Sequence, residues 1–160
     1  MLVSDDERPK LGSSGIFRVI VDGAKKLKRA VSEGDVELSP EANELAVMIG
    51  QAFVAGRFSE VHALGTPPFQ KRINRDAFDA TWRGTIGERV LTGFTITDAG
   101  HIDLGYVPGL EEVSQDDFVG FAQITFSMPD VKVSDERAFS IAAVLLDHNG
   151  KVRLGALHAR

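Results

Sequence analysis

Apolar residues recur at helical spacing in one stretch of the first half of the chain. The members of this stripe are Leu45, Met48, Ile49, Ala52 and Phe53, which share one face of a 3.6-residue helix. Ser39 can accept a hydrogen bond from the free main-chain donors of a first turn, and Pro40 has the backbone angle of a helix start. Gly56 suits a left-handed C-terminal cap. The pattern therefore predicts a helix from Ser39 to Gly56.

Two further helices are predicted after this one. Ser59 can cap a short helix over 60–64, which Gly65 and the Pro67-Pro68 pair would end, and 69–73 can form one turn. Asn74 is a good cap for a longer helix that begins at Arg75. The apolar residues of that helix fall on one face: Phe78, Trp82 and Ile86. Each of these faces needs an apolar partner.

The N-terminal part carries a helical pattern of its own. Residues 1–14 are polar, whereas 15–31 place apolar residues at helical spacing, weakened by Gly23. The basic run 25–29 resembles a phosphate-binding or membrane-surface patch, but a solvated helix face is the favoured interpretation because the run is short and acidic residues follow it. We therefore divide the chain into 1–38, a polar segment with an additional helix, and 39–160, the main domain.

The second half changes to the two-residue period of strands. Strands are predicted over 90–97, 101–107, 118–128, 138–146 and 151–158, with an acidic loop before 118. Asn149 and Gly150 both tolerate the positive backbone angles of a two-residue hairpin turn, so the last two strands should pair antiparallel. Helices followed by such strands predict an α+β fold, in which helices pack on a curved antiparallel sheet.

Both alternating faces of the strands 118–128 and 138–146 carry apolar side chains. Helices cover only one face of a sheet, so the other face requires the additional N-terminal helix or a partner. Twofold dimers are the commonest oligomers. We therefore expect a homodimer that forms through the sheet.

Composition narrows the range of functions. The chain has 160 residues, enough for one domain, and its 18 basic and 23 acidic residues argue against nucleic-acid and anionic-membrane partners. The absence of cysteine excludes disulfides and cysteine-bound metals. No stretch reaches the ~20 apolar residues that span a bilayer, and the acidic start lacks the basic residues of a secretion signal. A cytoplasmic protein is expected.

The chain resembles the nuclear transport factor two-like superfamily, also called the cystatin-like α+β cone. The matching parts are the helix ending at 52–61, the aromatic helix around 78–82 and the strands that begin at 118 and 139, so the resemblance covers about 40–159. It implies a cavity between helices and sheet. Members of the superfamily include isomerases, dehydratases, ligand sensors and association modules, so the fold alone does not give a function.

Enzymes of that superfamily use an aspartate or histidine base with a tyrosine or tryptophan donor inside the cone. The candidates here are His62, Trp82, Asp98, His101, Asp103 and Tyr106. Structural roles in turns and on a surface helix are the favoured interpretation for most of them. Trp82 fits a core plug and a cavity wall equally well.

We therefore expect a non-catalytic domain that binds a small apolar ligand or associates with itself. The alternative is an isomerase, dehydratase or hydrolase that uses an acid/base pair in the cavity. The predicted ligand-binding residues are Phe53, Phe78, Trp82, Phe94 and Tyr106. The four histidines show no metal-ligand spacing and no glycine-rich phosphate loop follows a strand, so neither a metal nor a cofactor is expected.

Overall fold

The structure, a computed structural model, describes residues 38–160, and within that range helices precede a four-stranded antiparallel sheet. The helices are α1 (Pro40–Ala55), α2 (Phe58–Ala63), α3 (Pro67–Arg72) and α4 (Arg75–Ile86). The strands are β1 (Gly93–Asp98), β2 (Phe118–Ser127), β3 (Phe139–His148) and β4 (Lys151–Ala159), and they lie in the order β1-β2-β3-β4. The predicted α+β fold with helices on a curved antiparallel sheet is confirmed. The predicted polar segment 1–14, the helix over 15–31 and its basic run lie outside the described residues.

The signals predicted for α1 are present at both of its ends. The Ser39 hydroxyl accepts a hydrogen bond from the Ala42 amide at 3.1 Å, and Gly56 closes the helix with a φ of 74°. The helix lies close to β1: a Cβ atom added at Gly50 would come within 2.6 Å of the Phe94 ring. Most of the predicted stripe is buried, whereas Met48 is 44% exposed. Glycine at 50 therefore allows α1 to pack directly on the sheet.

The short helices begin at other residues than the sequence predicts. Arg57 takes the N-cap position of α2 with no side-chain cap, so Ser59 lies inside the helix. The Pro67-Pro68 pair opens α3, because the Thr66 hydroxyl caps it by accepting from the Phe69 amide at 3.2 Å. Proline is well suited to the first turn of a helix, and here that role replaces the predicted one of ending α2.

The predicted hairpin is confirmed. Asn149 and Gly150 have φ angles of 54° and 84°, and β3 and β4 pair antiparallel on either side of them. Positive angles at both central residues match the right-handed twist of the flanking strands. Regular pairing of β1 with β2 continues from Gly93 opposite Ser127 to Asp98 opposite Ala122.

The predicted strand over 101–107 is wrong. Three successive turns occupy this connection: Val107 donates its amide to the Leu104 carbonyl, Leu110 to Val107 and Val113 to Leu110. Leu104 lies in a short 3₁₀ helix, Leu104–Tyr106. The apolar residues of the connection are spaced by three positions, and this spacing lays Leu104, Val107 and Leu110 on one ridge, all of them buried.

The sheet packs a core on each side. On its inner face, side chains such as Ile124, Phe126, Ile141 and Leu145 meet α1, α2 and α4. On its outer face, the ridge of the β1–β2 connection covers Val144, Leu146 and Ala156. Part of the apolar outer face is therefore covered by the chain's own connection, a cover that the sequence analysis did not consider. The rest of that face carries polar side chains, among them Thr95, Gln123, Thr125 and Ser140.

Candidate functional site

The aromatic cluster between the helices and the sheet is the site that the sequence analysis singled out. Its centre is Phe53 of α1, which is 2% exposed. The Phe53 ring centroid lies 5.1 Å from that of Phe58, 5.2 Å from that of Trp82 and 5.6 Å from that of Phe126. The Phe94 ring joins the cluster through Phe126 at 6.1 Å. These separations are those of rings in direct contact.

Four of the five predicted ligand-binding residues thus converge. The indole of Trp82 is 7% exposed and lies 6.4 Å from Phe78, whose ring is also in contact with Phe69 at 5.7 Å. Trp82 therefore packs as part of a continuous aromatic core. The space that a ligand would use between Phe53 and its neighbours is occupied by the rings themselves.

Tyr106 does not join the other four predicted residues. It is the last residue of the 3₁₀ helix Leu104–Tyr106 in the β1–β2 connection, and it is 86% exposed. Leu104 and Val107 take the buried positions of that connection, and the intervening tyrosine points to solvent. The phenol thus lies on the outer side of the sheet, away from the aromatic cluster.

His62 is the one ionisable residue among the candidates that is buried with the aromatic core. Its Nε2 lies 2.7 Å from the Ile73 carbonyl, to which it donates, because a carbonyl can only accept. Its ring also packs against Phe78 at 5.5 Å and Phe69 at 6.0 Å. The imidazole therefore joins the end of α2 to the segment after α3, which is a structural role.

The remaining candidates hold turns. The Asp98 carboxylate accepts from the Gly100 amide at 2.7 Å, and the Asp103 carboxylate accepts from the Gly105 amide at 2.9 Å. The exposed His101 ring packs edge-on against Phe118 at 5.3 Å. These arrangements are ordinary side-chain contacts of loops. None of these groups points at the aromatic cluster together with a second ionisable group in the described range.

Surface depressions offer little more. A depression of about 580 Å³ is lined by His62, Ala63, Gln70, Asn74, Arg75 and Asp76. Another, of about 430 Å³, lies between α1 and the β3–β4 hairpin. Both are open to solvent, and neither reaches Trp82 or Phe94. Within residues 38–160, no three His, Asp or Glu side chains gather closely enough to hold a metal ion.

Two polar side chains that the sequence analysis did not single out fix the β1–β2 connection. Arg72 of α3 donates to the Gly155 carbonyl at 2.8 Å and to the Gly109 carbonyl at 3.2 Å. Gln115 accepts from the Leu104 amide at 2.8 Å and donates to the Ile102 carbonyl at 3.0 Å. An arginine at a helix end and a glutamine in the β1–β2 connection carry no local sequence signal, because their partners are main-chain atoms at least 11 positions away.

The carboxyl group of Asp135, whose pKa is clearly lowered, lies away from the aromatic cluster. Hydrogen bonds from the Arg137 side chain lower the pKa of Asp135 to about 2, and the hydrogen bond from the Arg137 amide and the positive charge of Arg137 act in the same direction. The shortest of the side-chain bonds joins Nη2 of Arg137 to Oδ2 of Asp135 at 2.8 Å. The Asp135 carboxylate thus bonds to a residue of its own turn before β3, which is a structural role.

Comparisons with known proteins do not place this chain in a family. No family model, no curated protein and no solved structure matches it. Among residues 38–160, no helix combines the length and the apolar character needed to cross a membrane.

Proposed function

We propose that this protein is a non-catalytic association domain that works as a homodimer through its sheet. The observation that carries the proposal is the packing around Phe53. Rings fill the interior at centroid distances of 5.1 to 5.6 Å, whereas the candidate ionisable residues hold turns or main-chain carbonyls. An enzyme of the alternative kind needs an acid/base pair that faces a substrate.

Binding of a small apolar ligand is the other role expected from the sequence. Such a ligand would have to separate Phe53 from Trp82, and the rings would lose contacts worth about 0.5–1.5 kcal/mol a pair beyond their burial. Self-association needs no such rearrangement. The resemblance to the nuclear transport factor two-like superfamily agrees with this role, because its members include association modules. The proposal keeps the cytoplasmic location expected from the sequence.

The test is the mass of the full chain in solution. Sedimentation velocity over a wide concentration range should give a dimer, and native mass spectrometry should show a dimer with no bound small molecule. A chain that stays monomeric at every concentration would overturn the proposal. A mass adduct that disappears in a Phe53→Trp variant, whose larger ring fills any residual space, would support ligand binding instead.

A further inference from the structure

The two edges of the sheet differ in how they are covered. At β4, the Leu154 amide donates to the Leu64 carbonyl and the Leu154 carbonyl accepts from the Thr66 amide, each at 2.9 Å. The next carbonyl, that of Gly155, accepts from Arg72. The chain's own segments thus occupy the middle of the β4 edge, where a further strand would have to pair.

The β1 edge has no such cover among the described residues. The Ala99 amide donates to the Phe121 carbonyl at 2.7 Å, and these two residues continue the register that pairs Phe94 with Phe126. Bonded pairs alternate along an antiparallel ladder, so Thr95 and Thr97 bond to β2. The amides and carbonyls of Phe94 and Ile96 therefore point away from the sheet, and no bond from residues 38–160 meets them.

The central part of β1 does nothing to discourage pairing. Asp98 at the end of the strand is its one charged residue; residues 93–97 contain no charged side chain and no proline, and pairing with β2 runs without a bulge. Monomeric proteins commonly protect an edge strand with one of these features. The four uncharged side chains between Gly93 and Asp98 alternate between the faces: Thr95 and Thr97 are half-buried on the outer face, while Phe94 and Ile96 are buried on the inner face.

We propose that the outer edge of β1 is the dimerisation site, where β1 pairs antiparallel with β1 of a second copy around a twofold axis at Thr95. This inference rests on the proposed function. The axis places Phe94 of each copy opposite Ile96 of the other. Each of these residues offers one amide and one carbonyl, so the pairing satisfies every outward group of both residues in both copies.

A second copy is the occupant that fits best. A twofold pairing is self-complementary, and it joins the two sheets into one continuous sheet of a size that open sheets commonly reach. Pairing of β1 with β4 of another copy would instead build an open fibre, but Leu64, Thr66 and Arg72 already occupy that edge. The assembly therefore closes at two chains.

The composition of the outer face favours dimerisation through the strand edge over stacking of two outer faces. The apolar half of that face is covered by Leu104, Val107 and Leu110 of the same chain. The open half is polar, and its hydroxyls are partly bonded to one another, as between Ser140 and Thr125 at 3.0 Å. Stacking two such faces would bury polar groups with few partners, whereas edge pairing creates new main-chain bonds.

The chain contains no cysteine, so single cysteines report the contact directly. Residues opposite each other in a non-bonded antiparallel pair have Cα atoms about 4.5 Å apart, within the range of a disulfide. In the full chain, Thr95→Cys should therefore oxidise to a covalent dimer. The matched control is Thr125→Cys, on the same face one strand inward, whose copies would lie roughly 15 Å apart in the proposed dimer.

The results separate the two proposals. A covalent dimer with Thr95→Cys and none with Thr125→Cys supports edge pairing. A dimeric wild-type chain in which Thr125→Cys forms the disulfide and Thr95→Cys does not overturns edge pairing and leaves the proposed association intact. A wild-type chain that is monomeric in sedimentation overturns both.

Charge provides an independent measurement that does not depend on oxidation. Lysine or glutamate at position 95 would face its own copy across the axis, so Thr95→Lys and Thr95→Glu should each weaken the dimer by roughly fivefold. An equimolar mixture of the two variants should restore dimerisation, because opposite charges then meet. A mixture that associates no better than either variant alone would overturn the proposed register.

Discussion

The guanidinium of Arg72 donates to the main-chain carbonyl of Gly155 at 2.8 Å, although the two residues lie 83 positions apart. The Nη1 atom of the same guanidinium donates to the Gly109 carbonyl at 3.2 Å. One side chain at the end of α3 thus joins the helices, the β1–β2 connection and Gly155 of β4, the extra residue between the partners of Val144 and Leu145. It also stacks over Phe69, with the guanidinium carbon 5.7 Å from the ring centroid. A single cation therefore holds three parts of the fold.

Replacing this arginine should loosen the β1–β2 connection. We expect Arg72→Gln to lower the free energy of unfolding by about 1–2 kcal/mol, because hydrogen bonds from a charged donor to two carbonyls are lost. Urea denaturation measures the stability, and hydrogen exchange should show faster exchange at Leu110 and Val113, whose amides close the turns. Arg75→Gln is the control, since its weak, exposed ion pair with Asp76 at 3.8 Å should contribute almost nothing. Equal stability of the two variants would contradict this role.

Sequence patterns predicted several elements whose signals are local. The caps at Ser39 and Asn74 and the turn at Asn149-Gly150 depend on neighbouring residues alone, and all of them are present. The predicted strand over 101–107 is wrong because the apolar residues Leu104, Val107 and Leu110 recur at every third position and do not alternate. That spacing, from Leu104 to Val113, is itself a signal for successive 3₁₀-like turns.

The centre of the aromatic core should be sensitive to truncation. Phe53→Ala should lower the free energy of unfolding by about 3–5 kcal/mol, because the cavity left behind borders Phe58, Trp82 and Phe126. Tyr106→Ala, at an exposed position, should stay within about 0.5 kcal/mol of the wild type. Thermal and urea denaturation of both variants provide the comparison. A small effect of Phe53→Ala would indicate that the interior already holds empty space.

The candidate site was predictable only in part. Helical spacing identifies which rings of α1 and α4 point inward, so Phe53, Phe78 and Trp82 could be grouped from the sequence. Whether those rings enclose a cavity depends on tertiary packing, which spacing does not encode. Tyr106 is a candidate only because the superfamily resemblance implies a tyrosine donor inside the cone, and the 3₁₀ turn Leu104–Tyr106 leaves its phenol exposed instead.

Two glycines with open surroundings should respond in opposite directions. A Cβ atom at Gly150 or at Gly84 would meet nothing within 4 Å, so backbone conformation alone decides the effect. Gly150 has a φ of 84°, and Gly150→Ala should cost about 1–2 kcal/mol. Gly84 lies inside α4, where Gly84→Ala should stabilise by about 0.5–1 kcal/mol. Melting temperatures of the two variants check this, and a Gly150→Ala variant that melts no lower than the wild type would contradict the turn assignment.

The Asp135–Arg137 pair gives a prediction about pH. The carboxylate of Asp135 accepts from Nη2 and Nε of Arg137 at 2.8 and 3.1 Å and from the Arg137 amide at 2.8 Å. These contacts lower the pKa of Asp135 from 3.8 to about 2 in the folded chain. A carboxyl group whose pKa is lowered by folding stabilises the fold fully above its unfolded pKa. That contribution is lost as the pH falls from about 4 through about 2.

Arg137→Gln separates the causes of this shift. The variant removes the charge and the guanidinium donors but keeps the hydrogen bond from the main-chain amide of residue 137. The pKa of Asp135 should therefore rise toward 3.8 without reaching it. Carboxyl carbon shifts of Asp135, followed by nuclear magnetic resonance during an acid titration, measure both proteins. Arg75→Gln, which alters an arginine at the start of α4, should leave the titration of Asp135 unchanged. If Arg137→Gln also leaves the titration of Asp135 unchanged, the hydrogen bond from the main-chain amide alone accounts for the lowered pKa, and the guanidinium contacts contribute nothing in solution.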